Sequence, residues 1–236
     1  MMRNLAAISL AIALPFLAAH HQTMPPLDSY QVVFLKKGSA WTATQTEESK
    51  KIQAGHMANI NSMATSGKLL AAGPIAEDND LRGIFIFKAL SQDEVKKLVD
   101  ADPAVQAGRL KYEILSWMGT PNIGKKFHED FSKDPNTKQT MTVHYLGLAM
   151  RGTGWKASEA QSVSADHVKY VLSLLSERKA SAAGPFSHEG DPRGMYILAA
   201  KSMSEAQQWS DTDPAVKAGH LSVKLYPWYV ASEVWP

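Results

Sequence analysis

The sequence predicts an α+β protein made of two tandem ferredoxin-like βαββαβ units, packed sheet to sheet within one chain as a pseudo-dimer. Three observations lead there. The first is a repeat: Ala71-Ala72-Gly73-Pro74 with Arg82-Gly83 returns as Ala182-Ala183-Gly184-Pro185 with Arg193-Gly194, offset by 111 residues. At that same offset His56 meets His167, Asp102-Pro103 meets Asp213-Pro214, Gly108 meets Gly219, and Trp117 meets Trp228. So many residues of special geometry in one register mark a duplication. The second is the order of apolar runs and helical periods in each copy, β-α-β-β-α-β. The third is that strand-like runs are apolar on both faces. Ile84 and Ile86 point one way and Phe85 and Phe87 the other; Val32-Val33 and Ile114-Leu115 behave alike. Such strands need cover on both sides, helices on one and the sister sheet on the other.

Taken in order, Tyr30 to Leu35 is β-branched and aromatic and forms the first strand. A loop with Gly38 and several threonines follows. Thr46 then caps a helix from about Glu47 to Thr65, with Ile52, His56, Ile60 and Met63 at helical spacing and Gly67 as its stop. Lys68 to Ala72 is the second strand, Asp78-Asn79-Asp80 a turn, and Gly83 to Lys88 the third strand. Ser91 and Glu94 form the capping-box pattern of a second helix, which Asp102-Pro103 ends. Ala104 to Gly108 is a short turn or helical piece, and Leu110 to Trp117 is the fourth strand.

Residues 119–140 read as a linker, with Pro121, Gly124 and Pro135 and one helical turn around Phe127. Its His128-Glu129-Asp130 cluster reads as solvated surface rather than a metal site. The second unit repeats the pattern. Met141 to Met150 is a strand, and a helix starting near Ser158 carries His167, Tyr170, Val171 and Leu174. Ala180 to Ala183 and Gly194 to Ala199 are strands, Ser204 to Thr212 is a helix, and Leu221 to Trp228 is the last strand. Its first loop reads as longer than that of the first copy, and its first helix as starting later. Met141, Met150 and Met195 read as core filling.

Composition excludes several classes. With 25 Lys+Arg against 23 Asp+Glu there is no field to attract nucleic acid or anionic lipid. Zero cysteines exclude disulfides, thiolate nucleophiles and Cys-ligated metal. No nucleotide loop, serine elbow or zinc signature is present, and no cofactor is expected. Residues 1–19 combine Arg3, an apolar stretch from Leu5 to Leu17, and small residues at Ala18-Ala19. They read as a secretory signal peptide, too short to span a bilayer, and the mature protein is expected to be periplasmic or secreted with no membrane attachment.

The residues able to carry chemistry are the repeated ones. A histidine shuttles protons near neutral pH, and a carboxylate on its other nitrogen fixes the tautomer. His56 with Asp102 and His167 with Asp213 suit this; equally, each aspartate can cap the turn after its proline, and each histidine can satisfy a buried carbonyl. Arg82 and Arg193 suit an anionic ligand group, or else are surface charges paired with Asp80 and Asp191. Gly73 and Gly184 let a ligand, or the facing sheet, approach the backbone.

The ordered set of helix histidine, Ala-Gly-Pro, Arg-Gly, Asp-Pro and a glycine before a strand ending in Trp resembles the YCII-related family. The resemblance covers residues 30–118 and 141–229. It implies ferredoxin-like units of the dimeric α/β-barrel group that pair through their sheets. Members usually carry one unit and dimerise, so this chain resembles a fused dimer that can stay monomeric. The resemblance also implies a histidine and an aspartate in a cleft suited to acid/base chemistry, here His56 and His167 with Asp102 and Asp213. Gly55 precedes the first histidine where Asp166 precedes the second, so the polar surroundings of the two sites differ. Two functions stay open. One is a small-molecule enzyme of isomerase, lyase or hydrolase type. The other is a small-ligand-binding protein without catalysis.

The export reading has a direct check. The intact mass of protein from its native host should correspond to a chain beginning near His20 and should be found outside the cytoplasm. A full-length mass in the cytoplasmic fraction would defeat it.

Overall fold

The computed structural model describes residues 26–134, 139–156 and 160–236. The expected signal peptide, residues 1–19, and the expected helix start near Ser158 lie outside them. The first unit runs β1 (Asp28–Lys37), α1 (Glu47–Thr65), β2 (Leu69–Pro74), β3 (Leu81–Phe87), α2 (Gln92–Asp100), α3 (Pro103–Gln106) and β4 (Leu110–Gly119). After α4 (Lys125–Lys133), the second unit runs β5 (Met141–Arg151), α5 (Ala160–Ser176), β6 (Ala180–Pro185), β7 (Gly194–Leu198), α6 (Met203–Thr212), α7 (Pro214–Lys217) and β8 (Leu221–Ala231). No helix among the described residues is long and apolar enough to cross a membrane.

Local chemistry sets the helix starts. Thr46 and Ser49 form a capping box at α1, and Ser91 and Glu94 another at α2. In the second unit Ser202 caps α6, which starts one residue earlier than the sequence suggests. Each unit is one antiparallel sheet, ordered β2-β3-β1-β4 and β6-β7-β5-β8. Side chains alternate as expected. Val33, Leu35, Phe85 and Phe87 pack under α1 and α2 with Met63, Val95 and Val99. Val32, Phe34, Ile84 and Ile86 face the other way and meet Leu146, Leu148, Met195 and Ile197 of the second sheet in one shared core.

The sheets also join at their edges. β8 lies against β2, with Ile75 bridged to Trp228 and the Ala76 N–H bonded to the Pro227 carbonyl at 2.8 Å. β4 lies against β6, with Trp117 bridged to Phe186 and the Ser187 N–H bonded to the Ser116 carbonyl at 2.9 Å. The eight strands therefore close into a barrel, which removes the exposed edges that an open sheet would present. At each seam a fully buried tryptophan reaches across. Trp228 Nε1 donates to the Gly73 carbonyl at 3.0 Å, and Trp117 Nε1 to the Gly184 carbonyl at 2.9 Å.

Glycine is needed at both acceptors. A Cβ on Gly73 would stand 1.7 Å from the Tyr229 carbonyl oxygen, and one on Gly184 would stand 1.8 Å from that of Met118. Of the two roles open to these glycines, the facing strand takes the backbone approach.

Some details depart from the sequence reading. Tyr30 pairs with Trp117 but His144 with Trp228, so the first strands sit three residues off the repeat register. The second copy's first loop is consequently not longer: β5 ends at Arg151 and α5 is already helical at Ala160, against Lys37 and Glu47 in the first copy. Residues 119–140 hold a nine-residue helix, α4, rather than a single turn. Its Phe127 is buried in the shared core, with Phe131 packed against it. Asp130 pairs with Lys126, and His128 Nε2 lies 3.2 Å from the Leu69 carbonyl. Met195 is core, but Met141, at the start of β5, is exposed. The tail continues β8 to Ala231, and Trp235 then packs on His144 and Trp228. Burial there pushes the His144 imidazole down to about 4.

The seam generates a stability prediction. Gly73→Ala forces the Tyr229 backbone away and should cost about 3 kcal/mol or more, the upper range of overpacking. Trp228→Phe removes one buried hydrogen bond and should cost about 1–3 kcal/mol. Urea denaturation of both variants checks this; a Gly73→Ala chain as stable as the parent would mean the seam is not under close approach.

Candidate active site

Each unit places its helix histidine against the aspartate before the short helix. His56 sits on α1, and its Nδ1 lies 2.7 Å from Asp102 Oδ2. His167 on α5 stands in the same relation to Asp213 at 2.6 Å. Both carboxylates are 1 % exposed, and both are also N-caps. Asp102 Oδ1 accepts from the Ala104 N–H at 2.8 Å, and Asp213 Oδ1 from the Ala215 N–H at 2.9 Å. The proline that follows each one occupies the first helical turn, where its missing N–H costs nothing. The two readings of Asp-Pro are therefore both true, one on each carboxylate oxygen.

Burial would raise the Asp102 carboxyl. The His56 hydrogen bond and charge, the Ala104 N–H and a 3.3 Å hydrogen bond from Asn59 outweigh it and hold it below the usual carboxylate range. Asn59 is one turn beyond His56 on α1, a spacing the sequence offered but the repeat hid, because Tyr170 occupies the matching place. Tyr170 donates instead to the Trp209 carbonyl at 2.6 Å.

Each histidine lines a cleft between its first helix and the outer face of its sheet. The first cleft encloses about 380 Å³ and is bounded by Leu35, Ile52, Ile60, Phe85 and Leu110. The second encloses about 450 Å³ and is bounded by Val168, Val171, Leu175, Tyr196 and Leu221. The His56 ring lies nearly parallel to Phe85 at 6.1 Å. Tyr196 takes that place in the second unit, and burial raises its phenol. With Nδ1 turned to the carboxylate, Nε2 is the ring nitrogen left for a bound molecule.

The remaining sequence candidates also line these clefts: Arg82 and Gly73 the first, Arg193 and Gly184 the second. Neither arginine pairs with the acid expected of it. Arg82 reaches Asp78 at 3.3 Å and the Glu77 carbonyl at 3.2 Å. Arg193 binds the His188 carbonyl at 2.6 Å, while Asp191 pairs with Arg151. The turn geometry, rather than adjacency in sequence, selects the partner. Sequence reading missed Trp41 and Trp155, which stack beneath these arginines. Gly55 proves to be a packing residue, since a Cβ there would meet Pro103 at 2.9 Å. No group of three or more His, Asp or Glu among the described residues is placed to hold a metal.

The YCII-related domain matches residues 31–118 and 143–229 of the chain. Among curated proteins no sequence matches. Among solved structures, a chlorite dismutase variant from Candidatus Nitrospira defluvii is similar with a TM-score of 0.55 at 9% identity, over 87% of this chain and 92% of that one. A protein from Lactobacillus acidophilus described as a monooxygenase candidate is similar with a TM-score of 0.51 at 11% identity, over 89% and 98% of the two chains. At such identities these likenesses concern the fold.

The carboxylate geometry makes a pH prediction. Because the folded Asp102 carboxyl is held low, its contribution to stability is complete above the ordinary carboxylate range. It is lost as pH falls through the lowered value. Asp102→Asn, which keeps an oxygen for the cap, should flatten the acid limb of the stability profile. Asp102→Ala should lose about 1 kcal/mol more at neutral pH with the cap. Denaturant titrations across pH check both; an unchanged acid limb in Asp102→Asn would remove Asp102 from the balance.

Proposed function

The chain belongs to the YCII-related domain family, and we propose that it is a small-molecule enzyme moving protons with one His–Asp pair per unit. The observation that carries the reading is the pair itself, formed twice, each time with its histidine lining an open cleft. A structural histidine needs only one acceptor. Here the acceptor is a buried carboxylate that fixes the tautomer and stabilises the imidazolium, the support a general base requires. Nε2 then takes a proton from the bound compound, or for hydrolysis from the water that attacks it, and returns it to another position or to the leaving group. Isomerisation, elimination and hydrolysis all fit such a step. One chain is the whole functional unit in this reading, because each unit's pairing face is covered by the other.

An activity screen over small acidic and aromatic compounds tests it, with His56→Gln, His167→Gln and the double variant beside the parent. Loss of both histidines should lower turnover about 10²-fold or more while ligand binding stays, whereas each single variant should keep the turnover of the other unit. Binding with no turnover in any chain would favour a binding module. A double variant that folds and keeps every activity would take the histidines out of the site.

A further inference from the structure

We propose that the first unit's cleft is an anion site for a small organic acid with an apolar body, its charged group held by Arg82 and Arg109 around Trp41. Both arginines and His56 line the cleft, and no carboxylate lines it among the described residues. The guanidinium of Arg82 lies 4.7 Å from the Trp41 ring centre and that of Arg109 5.5 Å, with the Lys37 ammonium at 5.8 Å. Three cations around one indole repel one another. Trp41 offsets part of that through its ring face, and the nearest acid is Asp78, whose side chain is 81% exposed and shared between Lys37 and Arg82. A carboxylate so hydrated is a weak counter-ion.

The guanidiniums also have donors to spare. Arg82 Nε is buried with no hydrogen-bond partner among the described residues, which costs free energy until an acceptor arrives. Arg109 uses one nitrogen on the Thr42 carbonyl at 2.9 Å, and the rest of its fork remains for a ligand. Planar forks of this kind recognise carboxylate or phosphate oxygens. Beyond them the wall is apolar, formed by Leu35, Ile52, Ile60, Phe85 and Leu110. A charged head and an apolar body are the chemistry that matches both halves.

The second cleft keeps Arg193 over Trp155 at 5.9 Å, but His220 stands where the first unit has Arg109, and it does not line the cleft. With one guanidinium instead of two, the second site holds the same anion more weakly. The proposal deepens the acid/base reading by naming its substrate class, and rests on it only for the step that follows binding.

Calorimetric titration of the full chain with benzoate and with benzamide tests it, since the two differ chiefly in charge. Benzoate should bind at least about tenfold more tightly. Arg109→Gln, confirmed folded by circular dichroism, should lower benzoate affinity about tenfold and leave benzamide unchanged. Arg193→Gln should leave the tighter benzoate event in place. Inorganic phosphate, lacking an apolar body, should bind more weakly than benzoate; tighter phosphate binding would overturn the apolar-body part. Equal affinity for benzoate and benzamide, no saturable benzoate binding, or an unaffected Arg109→Gln would overturn the anion site. The double variant His56→Gln/His167→Gln separates the two readings. If it abolishes turnover while benzoate and benzamide bind alike, the anion proposal falls alone. If it keeps every activity while benzoate binding behaves as expected, the acid/base reading falls alone.

Discussion

A buried indole N–H must find an acceptor, and here each finds it on the opposite unit. Trp117 and Trp228 are fully buried, and their acceptors are the carbonyls of Gly184 and Gly73. That bond requires the facing strand to come closer than any Cβ allows, which fixes glycine at both positions. It also determines the seams, because the same approach puts β8 beside β2 and β4 beside β6. Pro74 and Pro185, which follow the acceptor glycines, line the clefts. Each cleft therefore has part of its wall held by the other unit. A single unit would lack both the acceptor for its tryptophan and the support for its cleft, so a second copy, fused or not, is a physical requirement of the design.

Within each unit a second constraint ties the turn to the helix. Asp102 and Asp213 divide their oxygens between a backbone N–H and an imidazole. The cap fixes the carboxylate, and the carboxylate then fixes the ring. A histidine on a long helix thereby gains a defined tautomer without any further residue. Proline after the aspartate contributes by shaping the first helical turn, which is why the dipeptide and not the acid alone recurs. The pairing of α1 with α3 also accounts for Gly55, which lets the helix come down onto Pro103.

Much of this was legible in the sequence because it is written in side chains of special geometry or in strict alternation. The repeat supplied the two units, and Ile84-Phe85-Ile86-Phe87 showed that each sheet has two covered faces. The His–Asp pairs were readable as candidates because both members recur. What was not legible depends on backbone bonding and on tertiary direction. Edge-to-edge closure of the barrel is made by N–H and carbonyl groups, which every residue possesses. The helix α4 was masked by Pro121, Gly124 and Pro135, although Phe127 and Phe131 are four apart and share one face. The partners of Arg82 and Arg193 were misassigned because adjacency in sequence says little about where a turn points its acids. Trp41 and Trp155 were invisible as site residues because they stand outside the 111-residue register, in loops whose lengths differ.

The comparison of the two units separates scaffold from chemistry. What both copies share is bound by reciprocal geometry: the glycine acceptors, the seam tryptophans, the Asp-Pro cap and the histidine it holds. What differs lies around the clefts: Asn59 against Tyr170, Phe85 against Tyr196, Arg109 against His220. In a dimer of identical chains any such change would alter both clefts at once. Fusion removes that coupling, since a substitution near one cleft leaves the other untouched while the seams stay symmetric. The first cleft gains a second guanidinium, the carboxylate behind His56 gains the Asn59 amide, and the second cleft gains the Tyr196 ring. A shared His–Asp pair in two differently lined clefts is the arrangement that fusion makes available and a homodimer does not.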